Sequence, residues 1–331
     1  MRHLKPSRNQ AVHEKALAGF LKAETASARC FVLKLLFQLP FDRSKLYRTN
    51  YAEDSVDAIL KSKGGAASSC YDANYGNFET QLYSEIRREA FGDDIGQNSW
   101  LTAEEQDLFI SWLNLSTGKT LLDVACGSGG PALRIAGTTG CSLVGVDLHE
   151  LAIATAKSLA SQRNLKDRVE FYVVNAGEQL PFPDARFDAI TCIDAINHLP
   201  NRPLVIAQWA RLLKPGGRLL FTDPVTLTGP LTNKEIAVRS SAGFFLFVPK
   251  DYDTDVIAQS GLRLLVCKDV TANMAIVAEN RRAARESRSA AVREIEGDQT
   301  YEAQQNFLAM TARLAREARL SRFAYLTEKI A

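Results

Sequence analysis

Histidine is scarce in this chain, with four in 331 residues, and the six cysteines form no CxxC pair. That scarcity offers no structural zinc site and no disulfide framework, and it suits a reducing compartment. Net charge is nearly absent as well. Forty Lys and Arg against 38 Asp and Glu leave a formal +2, too little to attract a polyanion over the whole surface. Basic residues do gather at 281–293 and 313–322. Glu286 and Glu317 interrupt those clusters, and Glu294 and Glu296 follow the first, so they read as solvated helix faces, with no nucleic-acid partner expected. No apolar run is long enough to span a bilayer; the most apolar early one, Cys30–Phe41, is short and contains Lys34. The first residues show no apolar core followed by a small-residue cleavage site. The expectation is a cytoplasmic protein without a membrane span and without a metal.

What is present divides into three stretches. Residues 1–95 read as a mostly helical N-terminal extension, with a small, flexible segment at Lys63–Ser69 and an aromatic cluster of Tyr71, Tyr75, Phe78 and Tyr83. Thr102 with Glu105 three residues on predicts a capping box for a helix running to about Leu115. From there to 225, short apolar runs alternate with helical segments. Strands are predicted at Thr120–Cys126, Ser142–Leu148, Val169–Asn175, Phe187–Ile193 and Arg218–Thr222. Helices begin near Pro131, His149 and Leu204, and Lys214–Gly217 makes a turn before the fifth strand. Alternation of this kind means βαβ units and a parallel sheet. Residues 226–331 add two strand-like runs, 262–270 and 322–330, separated by an Ala-, Arg- and Glu-rich helical segment at 272–318.

Between the first strand and its helix lies Leu122-Asp-Val-Ala-Cys-Gly-Ser-Gly-Gly-Pro-Ala132. Gly127 and Gly129 let the backbone turn tightly and approach a ligand, with a helix N-terminus just beyond. Asp147 ends the next strand, where its carboxylate can accept both ribose hydroxyls of a nucleoside. The spacing Gly127-x-Gly129-x-x-Ala132 with an acid downstream also satisfies the dinucleotide fingerprint. Three features favour S-adenosylmethionine over NAD. Asp123 sits inside the strand before the glycines and can reach the amino group of a methionine moiety. Asn175 ends the third strand, where a polar side chain can read an adenine amine. Lys214-Pro-Gly-Gly217 precedes a strand continuing into Asp223-Pro224.

Together the segments LLDVACGSGGPALRIA, VGVDLHE, NAGEQLPFPDARFD, CIDAINHLPNR and LLKPGGRLLFTDP resemble the successive motifs of class I S-adenosylmethionine-dependent methyltransferases. The likeness is greatest to the small-molecule branch of sarcosine/dimethylglycine, phosphoethanolamine, tocopherol and sterol methyltransferases. It covers 120–225 strongly, 95–120 and 250–331 more weakly, and leaves 1–70 unexplained. The resemblance implies an α/β fold: a Rossmann-like, doubly wound, seven-stranded, mostly parallel sheet. The runs at 262–270 and 322–330 become its edge hairpin, and 272–318 an insertion capping the acceptor pocket. The core is expected at 96–225, and 226–331 supplies the cap and terminal edge strands.

The resemblance also implies a cofactor set of Ser99, Asp123, Ala125, Gly127, Gly129, Asp147, Leu148, Asn175, Ala176 and Ile193. Ala125 stands where glycine is common and Asn175 where aspartate is usual, departures that a buried strand end and a retained acceptor oxygen tolerate. Ser99 lies in a stretch that folds over the cofactor in that family; the other reading is an N-cap loop beside a core Trp100. Asn175 has a turn cap as its second reading. Tyr71, Tyr75 and Phe78 could wall in a sulfonium or amine, or simply pack. His198, after the fourth strand, falls where the reacting methyl should sit and is the candidate general base; a loop-stabilising histidine is the alternative. The implied reaction carries the methyl of S-adenosylmethionine to a small-molecule acceptor. Its rivals are an NAD(P)-dependent oxidoreductase, which no catalytic Tyr-x-x-x-Lys supports (the one such spacing, Tyr325-x-x-x-Lys329, falls in the last strand-like run), and a non-catalytic methyltransferase-like binding protein. Residues 1–95 serve as a lid or as a homodimer contact, between which the sequence does not choose.

Overall fold

A computed structural model describes residues 74–241 and 243–330. Tyr71, the Lys63–Ser69 segment and the rest of the N-terminal extension up to 73 lie outside the described residues. Two helices come first, α1 (Gln81–Phe91) and α2 (Ala103–Leu113). The alternating core follows: β1 (Thr120–Val124), α3 (Gly130–Thr139), β2 (Ser142–Asp147), α4 (Glu150–Gln162), β3 (Val169–Val173), β4 (Phe187–Cys192), α5 (Arg202–Leu212) and β5 (Leu213–Leu227). Then come α6 (Asn233–Arg239), β6 (Val248–Pro249), α7 (Tyr252–Gln259), β7 (Leu262–Asp269), α8 (Thr271–Glu286), α9 (Ser289–Glu296), α10 (Asp298–Arg316) and β8 (Leu320–Lys329).

The strands form one sheet in the order β3-β2-β1-β4-β5-β8-β7, with β6 paired to the end of β5. β1 to β5 are mutually parallel, while β8 runs antiparallel between β5 and β7. Chain order reverses direction at β1 and β4, so the crevice above their carboxyl ends is the switch point of the sheet. Leu121, Leu122 and Val124 of β1 are almost wholly enclosed, as a strand covered on both faces by helices must be. One layer of core packs α2, α3 and α4 against the sheet. The other packs α5 and α7, with Trp209, Phe221 and Tyr325 at its centre.

The implied sheet is therefore present, with one short strand more than expected. The predicted edge pair, 262–270 and 322–330, corresponds to β7 and β8, and the intervening 272–318 segment is three helices. Because β5 ends at Leu227 opposite Leu320, and Asp269 opposite Phe323, those helices leave and rejoin the sheet at the carboxyl edge of the parallel strands. The Lys214–Gly217 turn is absorbed into β5 as an irregularity, where its pairing with β4 shifts register between Phe187 and Ala189. Gly216 there has a positive φ of 72°. Among the described residues, no helix is long and apolar enough to cross a membrane.

Two buried charge clusters tie this edge together. Thr102 caps α2 by accepting the Glu105 N–H, but the Glu105 carboxylate does not close the predicted box. It turns instead to Arg322 of β8, whose Nη1 donates to Oε2 at 2.7 Å while its Nε donates to Asp194 Oδ1, also at 2.7 Å. Arg322 is wholly buried. A second buried arginine, Arg202, donates through Nη1 to Asp223 of β5 at 2.6 Å and Asp253 of α7 at 2.8 Å. Removing one partner of such a cluster strands the others in a low dielectric. Arg322→Met should therefore lower unfolding free energy by ~3–5 kcal/mol, measured by urea denaturation. A loss below ~1 kcal/mol would mean that the edge holds without its charges.

Candidate cofactor and acceptor site

The carboxyl ends of β1, β2 and β4 converge on the glycine loop. Asp147, the last residue of β2, organises it: Oδ2 accepts the Gly127 N–H at 2.8 Å and Oδ1 the His149 N–H at 2.9 Å. Gly127 and Gly129 have φ of 53° and 75°. A side chain at Gly129 would meet Ala156 Cβ at 2.8 Å, and one at Gly127 the Tyr75 hydroxyl at 3.1 Å. Gly129 is thus fixed by helix packing, whereas Gly127 faces Tyr75, whose ring also lies 5.3 Å from that of His149. Ala125, just before the loop, has φ +56°, a left-handed conformation that strains any residue but glycine. The departure at this position is thus accommodated in strained backbone.

Asp123 and Thr191 are neighbours in register across the β1–β4 switch point, and Thr191 Oγ1 donates to Asp123 Oδ1 at 2.6 Å. Burial pushes the Asp123 carboxyl up to about 7; the Thr191 hydrogen bond opposes that and the Asp147 charge adds to it. Cys126 and Cys192, buried beside it, have thiols raised well above their usual value, first by burial. Leu148, next to Asp147, is 60% exposed, an open apolar surface at a loop otherwise made of polar groups. Ala176 is buried and Ile193 partly so. Asn175 is exposed; its Oδ1 accepts the Gly177 N–H at 3.0 Å and its Nδ2 donates to Glu178. It caps a turn in this state.

The loop after β4 carries the second half of the site. Asp194 is strained at φ +55° and fully engaged. Its Oδ1 accepts Thr222 and Arg322, and its Oδ2 accepts the Trp100 N–H at 2.8 Å. That last bond fastens the Ser99 stretch to the crevice. Ser99 Oγ accepts the Leu101 N–H, and Trp100 packs among α8 and α10 with Met274 and Leu308, so the loop and its core tryptophan coexist. A single 3₁₀ turn, Ile196–His198, follows. His198 Nδ1–H donates to the Phe244 carbonyl at 2.8 Å, which fixes the tautomer with its lone pair on Nε2. Its pKa is lowered, first by burial and then by the Arg239 charge, against the pull of that carbonyl. The aromatic cluster divides. Tyr75 sits over the glycine loop, Phe78 lies under the Arg87 guanidinium, and Tyr83 donates to Glu296.

Thr191, the Arg322 clamp and the segment that holds His198 were not foreseen from sequence. Thr191 had a signal, since the alternation of β4 sets it beside Asp123 in the parallel ladder. The carboxyl of Asp123 generates a clear expectation. Its folded pKa lies above the unfolded value, so it stabilises the empty protein at low pH and loses that contribution as pH rises through about 7. Asp123→Asn should then raise the melting temperature of the ligand-free protein at pH 8 and change it little at pH 5, read by differential scanning fluorimetry. A lower melting temperature at pH 8 would contradict it.

Comparisons with known proteins agree with this geometry. A 27-O-demethylrifamycin SV methyltransferase from Amycolatopsis mediterranei is 35% identical over 48% of this chain and 58% of its own length. A sterol 24-C-methyltransferase from Gibberella zeae is 31% identical over 67% and 60% respectively. The chain thus spans about three fifths of the curated relatives it matches. In fold it is similar to the cyclopropane synthase MmaA2 from Mycobacterium tuberculosis, with TM-score 0.68 and 19% identity over 78% of this chain and 97% of that one. It is likewise similar to a Haemonchus contortus phosphoethanolamine N-methyltransferase, with TM-score 0.66 and 19% identity over 79% and 60%. None of these supports the dinucleotide reading that the glycine spacing left open. The family model described as a methyltransferase domain matches residues 115–285, more than half of the chain, and the protein belongs to that family.

Proposed function

We propose that this chain transfers the methyl group of S-adenosylmethionine to a small-molecule acceptor in the cytoplasm. The observation that carries the reading is the Asp147–glycine loop arrangement above the switch point, with Asp123 beside it. The residues fit the group. Gly127 presents bare backbone beneath the Tyr75 hydroxyl, which an added Cβ would meet at 3.1 Å, and the Asp147 oxygens that hold two backbone amides still have lone pairs for two ribose hydroxyls. Asp123 would take the ammonium group, Ala125 and Ser99 would flank the methionine end, and Ile193 would line the crevice. Leu148 would cover one face of adenine while Asn175 and Ala176 meet its edge. Asn175 Oδ1 holds the Gly177 N–H with one lone pair and keeps the second for the adenine amine.

When bound, S-adenosylmethionine supplies an electrophilic methyl already primed for displacement. The protein has only to hold donor and acceptor in line, exclude water and accept a proton where the acceptor carries one. His198, neutral and anchored through Nδ1, offers Nε2 as that base. For the part of the N-terminal extension from residue 74 on, the seat of Tyr75 against Gly127 supports the lid role.

Titration calorimetry tests the reading. S-adenosylhomocysteine should bind while NADH does not, and Asp147→Ala should weaken binding by ~1.5–3 kcal/mol through lost charge-assisted hydrogen bonds. Binding of NADH alone would overturn it. His198→Ala should lower turnover roughly a hundredfold with cofactor affinity nearly unchanged. A depressed folded pKa means that the neutral imidazole is already dominant at pH 7. Turnover should therefore rise with pH through a group titrating below the ordinary histidine value of 6.5, and be level above it. A mutant that loses cofactor affinity and melting temperature instead would assign His198 to the scaffold.

A further inference from the structure

Away from the crevice, an open groove of about 570 Å³ runs along α3 beside the end of α4. Its size falls in the range of ~300–1,000 Å³ usual for small-molecule sites. Arg134 and Gly137 of α3, Arg163 just after α4 and Arg168 just before β3 line it. Gly137 lies near the end of α3 and Arg168 immediately precedes a strand, so both sit toward the amino ends of the parallel strands. Asp147 and the glycine loop are at the opposite, carboxyl edge. The groove is a second site.

Its charges are unbalanced. Three guanidinium groups face the groove with one carboxylate, that of Asp94. Asp94 is already engaged, its Oδ1 accepting Arg87 Nε at 2.8 Å and the Gly96 N–H at 2.9 Å. Arg168 makes neither a hydrogen bond nor an ion pair through its guanidinium with any described residue. Arg163 donates to the neutral Gly130 carbonyl at 3.3 Å. Arg134 pairs with the exposed Asp107 at 2.8 Å and donates to Gln106 at 3.2 Å. A surface pair of that kind contributes little and exchanges readily for another anion. Gathering three like charges at one groove costs stability, which an anion placed there returns.

The floor between the arginines is bare. Gly137 stands inside a helix, where glycine is less favourable than alanine, and a Cβ built on it meets no heavy atom within 4 Å. Its φ is not positive, so neither backbone conformation nor packing requires glycine. Its effect is to leave room above α3, with apolar surface from Leu133 and Leu165 beside it.

We propose that this groove binds a small phosphate monoester whose organic part is apolar. A phosphoryl group brings nearly two negative charges and three acceptor oxygens, one for each guanidinium, and guanidinium forks match its geometry. A carboxylate offers one charge and two oxygens, too little for three arginines. An ammonium group is repelled by all of them. The apolar part lies over Gly137, against the two leucines.

The test titrates the full chain calorimetrically, at low ionic strength, with phenyl phosphate, benzoate and benzylamine. Phenyl phosphate should bind, benzoate roughly tenfold more weakly or worse, and benzylamine not at all. Arg168→Gln breaks no bond of the fold, and Gly137→Leu fills the space above α3. Each should weaken phenyl phosphate roughly tenfold or more, with melting temperature unchanged in the first and equal or higher in the second. S-adenosylhomocysteine should not displace the probe. Unchanged phenyl phosphate affinity in either variant, benzoate binding as tightly, or no binding by the wild type would overturn the proposal. Displacement by S-adenosylhomocysteine would put the probe in the crevice and overturn it too. So would retention on phosphatidic acid vesicles without binding of phenyl phosphate, which would turn the arginines toward a lipid surface.

Discussion

The grip of Arg322 on Glu105 and Asp194 is the constraint on which the rest of this structure depends. One guanidinium, wholly buried, joins the last strand of the sheet, the first turn of α2 and the loop leaving β4. Asp194 then reaches on to Thr222 of β5 and to the Trp100 amide. Three segments distant in sequence are thereby held at one corner of the carboxyl edge. The candidate residues Ser99 and His198 hang from that corner. Losing the arginine would leave two carboxylates in a low dielectric, so the corner forms as a unit or not at all.

Around the corner, strain and desolvation concentrate where chemistry is expected. Ala125 and Asp194, each at the carboxyl end of a central strand, occupy left-handed backbone without being glycine. Asp123 is raised to about 7 and His198 lowered, both chiefly by burial. Neither departure stabilises the empty protein above about pH 7. Each becomes intelligible beside a ligand that brings an ammonium group to Asp123 and an acidic proton to His198, with dry surroundings strengthening both contacts. The site has two characters. Around Asp147 it offers backbone amides and carboxylates, whereas around Phe245 it is aromatic and apolar.

The parallel core was legible because its strands are buried on both faces and read as continuous apolar runs between turn residues. Gly127, Gly129 and Asp147 were legible for a related reason: their chemistry is local, set by spacing along one βαβ unit. What lay hidden was non-local. Arg322 meets Glu105 and Asp194 across 217 and 128 positions, and in sequence it is one basic residue inside an apolar strand. The 225–261 region, with α6, the two-residue β6 and α7, is too short in each piece to show a period. Residue Glu105 shows the limit of motif reading. Its place in a capping box was correct for the backbone and wrong for the carboxylate, which the buried arginine claimed.

The central proposal is that one crevice, at the carboxyl ends of β1, β2 and β4, binds the donor and faces it toward the Ile196–His198 turn. A crystal structure with S-adenosylhomocysteine tests this most directly. The account predicts ribose hydroxyls on both oxygens of Asp147, the amino group at Asp123, and the sulfur directed toward His198 with open space between them. A nucleoside bound away from Asp147, or a sulfur turned from the β4 loop toward the α3–α4 side, would contradict it.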